Sequence, residues 1–259
     1  MSRIAAIFQK PQHKALIAYV TVGYPSIEAT LETVPLLAES GCDMIELGIP
    51  FSDPMADGAT IQKASHCALQ NGVTPSKCLR IAGELRRKTD IPLLFMTYYN
   101  PIFSYGIDSF CRDCSRSGVG GLIVPDLLPE EGSSLEAAGK RNGLDTIYLL
   151  APTSTDERIR LVGRRSGGFI YLVSVAGITG ARDRLPSGLG GLVSRVKTIT
   201  RKPLCVGFGI SSPQQAKQVA AIAEGVIIGS RIIQLMEAED SLAAVAAFIK
   251  QTRQALDEA

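Results

Sequence analysis

Histidine is nearly absent from this sequence: His13 and His66 are the only two in 259 residues. That scarcity argues against a histidine-based metal centre, which draws on several imidazoles. Cys111 and Cys114 form a C-x-x-C, but no second pair accompanies it. The other cysteines (Cys42, Cys67, Cys78 and Cys205) are scattered through apolar patterns, so neither a zinc nor a redox motif is complete. The simpler expectation is that Phe110, Cys111 and Cys114 share the inward face of a helix opened by Asp108 and closed by Gly118, with the thiols packing as small hydrophobes. No apolar stretch is long enough to span a bilayer. Met1 to Lys10 lacks the apolar run and small-residue cleavage site of a signal peptide, and a soluble, cytosolic chain is expected. Charge of one sign is lacking too: 27 basic and 25 acidic residues leave a net +2, which gives no reason to expect nucleic acid or an anionic membrane as partner.

What is present is alternation. Hydrophobic residues make up 46% of the chain, and short apolar runs alternate with amphipathic stretches from end to end. The runs predict strands at Leu16–Thr21, Met44–Leu47, Leu93–Thr97, Gly121–Val124, Thr146–Leu150, Phe169–Ser174, Leu204–Gly207 and Gly225–Ile228, the length of buried parallel strands. Ser26 is placed to cap a helix with Ile27, Leu31, Val34 and Ala38 inward, kinked at Pro35 and ended by Gly41. Thr74-Pro75 opens a helix with Cys78, Ile81, Ala82 and Leu85 inward. Ser212-Pro213 opens another with Ala216, Val219 and Ala220 inward, closed by Gly225. An open doubly wound sheet would carry a glycine-rich turn near its first strand, and that turn is missing. The expected fold is therefore α/β: one (β/α)8 barrel over residues 1–259, with an extra N-terminal helix and a short helix after the eighth strand.

Such barrels do their chemistry at the C-terminal ends of the strands. Alternation puts Glu46 on one face of its strand with Met44. A carboxylate inside a barrel is expensive to desolvate unless paired or used, so Glu46 reads either as a structural ion pair or as an acid–base group with a raised pKa. The following loop, Pro50 to Gly58, is rich in turn formers. Asp53-Pro54 fits ordinary turn chemistry, whereas Asp57 has less obvious structural work. Three glycine-rich segments follow: Gly177 to Gly180, Gly207-Phe208-Gly209, and Gly229-Ser230 leading into a short helix. Together they suit a phosphorylated ligand held by backbone N–H groups, and each alone also suits a tight turn.

In order along the chain, Glu46-Leu-Gly-Ile-Pro-Phe-Ser-Asp-Pro-Met-Ala-Asp-Gly58, Tyr98-Tyr-Asn-Pro-Ile102, Val124-Pro-Asp126, Tyr171 through Gly180, Val206 through Ser211, and Gly229-Ser230 closely resemble the tryptophan synthase α chain family. The resemblance implies retro-aldol cleavage of indole-3-glycerol phosphate to indole and glyceraldehyde 3-phosphate. It implies that Glu46 is the acid–base group at indole C3 and the C3′ hydroxyl, and that Asp57 meets the proton on N1, the two carboxylates differing as one buried and one solvated. Tyr171 is implied to line the site near Glu46, and Thr179 to meet Asp57 on loop closure. Tyr19, Met96, Tyr98 and Phe208 resemble the walls around the indole, and Gly180, Gly209, Gly229 and Ser230 the phosphate cradle. No cofactor or metal is implied in this chain. Pyridoxal phosphate belongs to the family's β subunit, which pairs with α chains as αββα and receives indole through a tunnel, with loops 51–58 and 176–188 as the β-facing and closing elements.

No lysine sits at a matching strand end, which disfavours a Schiff-base aldolase. Three positions depart from the usual family pattern: Ala59 where proline is common, Leu128-Pro129 in reversed order, and Arg231 where a small residue is frequent. None removes a catalytic group. A stand-alone lyase, and a barrel kept mainly to activate β, are the rival expectations.

Overall fold

Nine parallel strand segments form one sheet in the computed structural model, which describes residues 1–173, 188–207, 209–238 and 240–259. The strands are β1 (Ala15–Thr21), β2 (Met44–Gly48), β3 (Leu93–Met96), β4 (Val119–Ile123), β5 (Asp145–Ile147), β6 (Leu149–Leu150), β7 (Ile170–Val173), β8 (Leu204–Gly207) and β9 (Gly225–Ile228). Their order is β5-β4-β3-β2-β1-β9-β8-β7-β6. The two outermost segments are halves of one chain stretch, parted only at Tyr148, so the sheet closes on itself as a (β/α)8 barrel. The expected unbroken strand Thr146–Leu150 is thus corrected. The Tyr148 N–H turns to Ser166 Oγ at 3.0 Å instead of a neighbouring strand, while its carbonyl still accepts from the Tyr171 N–H at 3.1 Å. The last two strands have the expected bounds. The others shift by a residue or two, and Ser174 lies outside the described residues.

Period-two alternation sorts the strand residues into two layers. Ile17, Tyr19, Met44, Leu94, Met96, Ile123, Tyr171, Cys205 and Ile227 form one buried cluster inside the barrel. Leu16, Ala18, Val20, Ile45, Leu47, Phe95, Leu172 and Val206 belong to the larger cluster packed under the helices. The N-terminal helix Arg3–Ile7, capped by Ser2, closes the barrel's lower end. A Cβ on Gly121 or Gly168 would come within 2.8 Å or 2.5 Å of the Ile4 side chain, so these two glycines let Ile4 seat in the opening.

The helix starts follow the expected caps. Ser26, Thr74 and Ser212 each accept from a backbone N–H of the first turn. Two helix details differ. The helix Ile27–Glu39 buries Thr30, Thr33, Val34 and Leu37, with Ile27, Leu31 and Ala38 only half-buried. A polar residue can face inward there because Thr30 Oγ1 accepts from the Gly23 N–H at 2.9 Å, tying the helix to the turn after β1. The Leu31 carbonyl that Pro35 leaves unpaired accepts from Lys88 Nζ at 3.3 Å. The helix Pro213–Ala220 ends before Gly225, which instead begins β9. There a Cβ would stand 2.6 Å from Cys205 Sγ. The helix Ile107–Arg116 is preceded by Gly106 rather than opened by Asp108, and it buries Phe110, Cys111 and Cys114 as expected. All six thiols are free. Among the described residues no helix is long and apolar enough to cross a membrane.

Candidate active site

At the C-terminal end of the barrel a cavity opens among Tyr19, Asp57, Met96, Tyr171, Gly209, Gly229 and Ser230. Strand positions dictate this company. Tyr19 and Tyr171 are inward-facing residues near the tops of β1 and β7, and Met96 ends β3. Ile227 on β9, Ile61 on the helix Ala59–Gln70 and Ile210 complete the wall. These three isoleucines carried no sequence signal beyond ordinary core. Only the register of β9 beside β1, which pairs Ile17 with Ile227, places the latter inside the barrel.

Glu46 is wholly buried and is not part of the cavity wall. Tyr19 pairs with it across the β1–β2 register. Neither Glu46 oxygen has a hydrogen-bond partner among the described residues, and burial pushes its pKa up to about 8. Such a carboxyl keeps its proton at neutral pH. Burial, then the negative charges of Glu46 and Asp57, raise the Tyr171 hydroxyl well above its ordinary value; Tyr19 is likewise raised by burial first and then by Asp57. Both phenols therefore stay protonated as potential donors.

Asp57 is buried as well, at 7% exposure, which corrects the expectation of one buried and one solvated carboxylate. What separates the two is hydrogen bonding. The Tyr98 hydroxyl donates to Asp57 Oδ2 at 3.1 Å and accepts from the Ala56 N–H at 2.8 Å. Gln62 Nε2 donates to the Asp57 carbonyl at 2.9 Å, and Phe51 lies against the Tyr98 ring, centroids 5.3 Å apart. Burial lifts the Asp57 pKa to about 6 against the lowering effect of Tyr98. At neutral pH one carboxyl is neutral and the other charged, a pairing suited to acid–base work.

Glycine has a further role here beside tight turns and phosphate binding. A Cβ on Gly48 would sit 2.2 Å from the Tyr19 hydroxyl, and one on Gly207 would sit 2.4 Å from the Tyr171 hydroxyl. These strand glycines are notches that let each phenol lean across the barrel mouth. Gly209 has φ +86°, a left-handed conformation that favours glycine, and Gly229 precedes the short helix Ser230–Leu235. Thr179, Gly180 and Phe208, with the 174–187 segment, lie outside the described residues. Of the departures, Ala59 begins its helix after Gly58, Leu128 is exposed, and Arg231 is half-buried without a hydrogen bond or ion pair among the described residues.

Comparison with known proteins gives a family. The sequence profile described as Tryptophan synthase alpha chain matches residues 5–259. A tryptophan synthase alpha chain from Dehalococcoides mccartyi is 58% identical, covering 99% of this chain and 100% of that protein. One from Geobacter sulfurreducens is 46% identical over 99% of each. A solved Mycobacterium tuberculosis tryptophan synthase structure superposes with a TM-score of 0.92 at 38% identity, covering 98% of both chains. With a matched profile, relatives spanning the whole chain and the same barrel, the chain belongs to the tryptophan synthase alpha chain family.

Proposed function

We propose that this chain cleaves indole-3-glycerol phosphate to indole and glyceraldehyde 3-phosphate through the two buried carboxyls, Glu46 and Asp57. The observation that carries the reading is the unlike setting of two buried carboxyls at the barrel mouth: neither Glu46 oxygen has a hydrogen-bond partner among the described residues, while Tyr98 donates to Asp57 Oδ2. Protonated Glu46 turns from its seat toward the cavity and gives its proton to indole C3. The positive charge this creates on the ring is stabilised by the Asp57 carboxylate, which accepts the hydrogen bond of N1–H. The Glu46 carboxylate then takes the proton of the C3′ hydroxyl. The C3–C3′ bond breaks, its electron pair restores the aromatic ring, and the carbon chain leaves as the aldehyde. The proton given at C3 is recovered at C3′, so Glu46 ends as it began.

In this reading Tyr171 lies near Glu46, Tyr19, Met96 and Tyr98 flank the ring, and Gly209, Gly229 and Ser230 cradle the phosphate. The family resemblance adds Gly180 to the phosphate site and Thr179 and Phe208 to the substrate site. The acid–base pair supplies the proton transfers by itself, and pyridoxal phosphate stays with a partner β subunit. The αββα assembly and a cytosolic setting belong to the same proposal, with loop 51–58 facing β. The deciding experiment measures indole release from indole-3-glycerol phosphate by the purified chain, with and without a β subunit. Slow release that rises sharply with β supports the proposal. Fast release indifferent to β indicates a stand-alone lyase, and no release in either condition removes the catalytic assignment.

A further inference from the structure

A second, smaller cavity adjoins the first at Asp57, and two of its lining residues, Ser65 and Thr97, have no part in the reaction above. It shares Tyr19, Asp57 and Met96 with the main cavity and runs back beneath Phe51 and Tyr98 to Ser65 and Thr97. Its free space is that of a single water-sized group. Most of its polar rim is already engaged: the Tyr98 hydroxyl holds Asp57 and Ala56, and Thr97 Oγ1 points to the Ile49 carbonyl at 3.5 Å. Ser65 is different. It lies on the inward face of the helix Ala59–Gln70 at 4% exposure, lines this cavity, and its hydroxyl has no hydrogen-bond partner among the described residues. A hydroxyl that lines a small chamber and makes no hydrogen bond among the described residues marks a place for a polar guest.

The position of the guest follows from the ring. With indole N1–H directed at Asp57, the neighbouring benzo carbon, C7, points to the same side, so a substituent on C7 lies alongside the Asp57 carboxylate. We infer that this chamber is a specificity subsite for a small hydrogen-bonding substituent, a hydroxyl or an amino group, at C7 of the indole ring, with Ser65 as its recognition residue. The inference rests on the N1–Asp57 contact proposed above. A group larger than one heavy atom overfills the space, and an apolar group of the same size leaves the Ser65 hydroxyl unpaired.

The test runs the cleavage backwards, condensing indole, 7-hydroxyindole or 7-methylindole with glyceraldehyde 3-phosphate on the purified chain, and compares kcat/KM. Hydroxyl and methyl are close in size, so their ratio reports hydrogen bonding. The subsite predicts that the wild-type chain prefers 7-hydroxyindole to 7-methylindole, and that Ser65→Ala lowers this preference roughly five- to tenfold, the loss of one neutral hydrogen bond. Ser65→Val, which fills the chamber, should depress both substituted indoles relative to indole. A preference unchanged in Ser65→Ala would place the recognition on Asp57 alone and overturn the subsite, as would a wild-type chain that does not distinguish hydroxyl from methyl. No condensation with unsubstituted indole would instead remove the reading of the main cavity, and the inference with it.

Discussion

Asp43 and Glu46 stand three residues apart, at the entry to β2 and within it, and they are treated in opposite ways. At the lower end, Asp43 accepts from the Leu16 N–H at 2.8 Å, pairs with His13 Nε2 at 2.7 Å and with Arg253 at 3.3 Å. Arg253 also donates to the Lys14 carbonyl at 2.8 Å. Beside this network Ile4 plugs the barrel. At the upper end, Glu46 is buried with no partner for either oxygen. The lower carboxylate ties the barrel base to the C-terminal helix Ser241–Asp257; the upper one is left for the acid–base role proposed above. A half-buried charge that is paired and a buried one held neutral are two answers to the same desolvation penalty. A barrel that separates stability from chemistry by its two ends displays both on one strand.

The comparison is tested most severely at Glu46. Glu46→Gln should lower indole release by about 10²–10⁴-fold, the usual contribution of a general acid–base group, while the barrel stays folded by circular dichroism. The same variant should change how stability depends on pH. Folding raises the Glu46 pKa from 4.5 to about 8, so its stabilising contribution is complete below about pH 4.5 and is lost as pH rises through 8, with a slope of at most about 1.4 kcal/mol per pH unit. Urea melts across that window should show the slope in the wild type and a flatter profile in Glu46→Gln. Equal profiles would mean that Glu46 is not held protonated.

At the other end the expected effect falls on stability. Asp43→Ala removes the acceptor of the Leu16 N–H and one of the two carboxylates that Arg253 meets, Asp257 at 2.5 Å remaining, and the lost hydrogen bonds cost about 1–3 kcal/mol. The urea midpoint should fall accordingly, with kcat/KM for cleavage at 25 °C within about twofold of wild type. A large loss of kcat/KM in folded Asp43→Ala protein would dissolve the division between the two ends.

Much of this was readable in advance, for identifiable reasons. The alternating runs fixed the barrel because buried parallel strands are short and apolar while their connecting helices carry caps such as Ser26 and Thr74. Glu46 and Asp57 drew notice because a carboxylate within an apolar strand, or between alanine and glycine, needs a reason to be there. What stayed hidden depends on contacts between distant segments. The break at Tyr148 comes from Ser166, eighteen residues on. The inward turn of Thr30 depends on the Gly23 N–H, and the notches at Gly48 and Gly207 on which aromatic ring leans over them. The distinction between the two carboxyls was expected from solvent, but both are buried, and a phenol from another loop donates to Asp57 while neither Glu46 oxygen has a partner among the described residues.

That phenol is the subject of the mildest prediction. Tyr98 lowers the Asp57 pKa while burial raises it. The proposed cleavage uses a charged Asp57 and a protonated Glu46, so kcat/KM should follow a bell with limbs near pH 6 and pH 8. Tyr98→Phe keeps the ring against Phe51 but removes the donor to Asp57 Oδ2 and the acceptor for the Ala56 N–H. Asp57 then binds its proton more tightly, so the acid limb moves to higher pH while the alkaline limb, set by Glu46, stays in place. At pH 7 kcat/KM should fall about tenfold or less, the scale of one hydrogen bond. A merely structural role for Tyr98 would lower the rate at every pH alike and leave the limb where it was. Displacement of the acid limb alone is therefore the observation that separates a brace on Asp57 from a wall beside the ring.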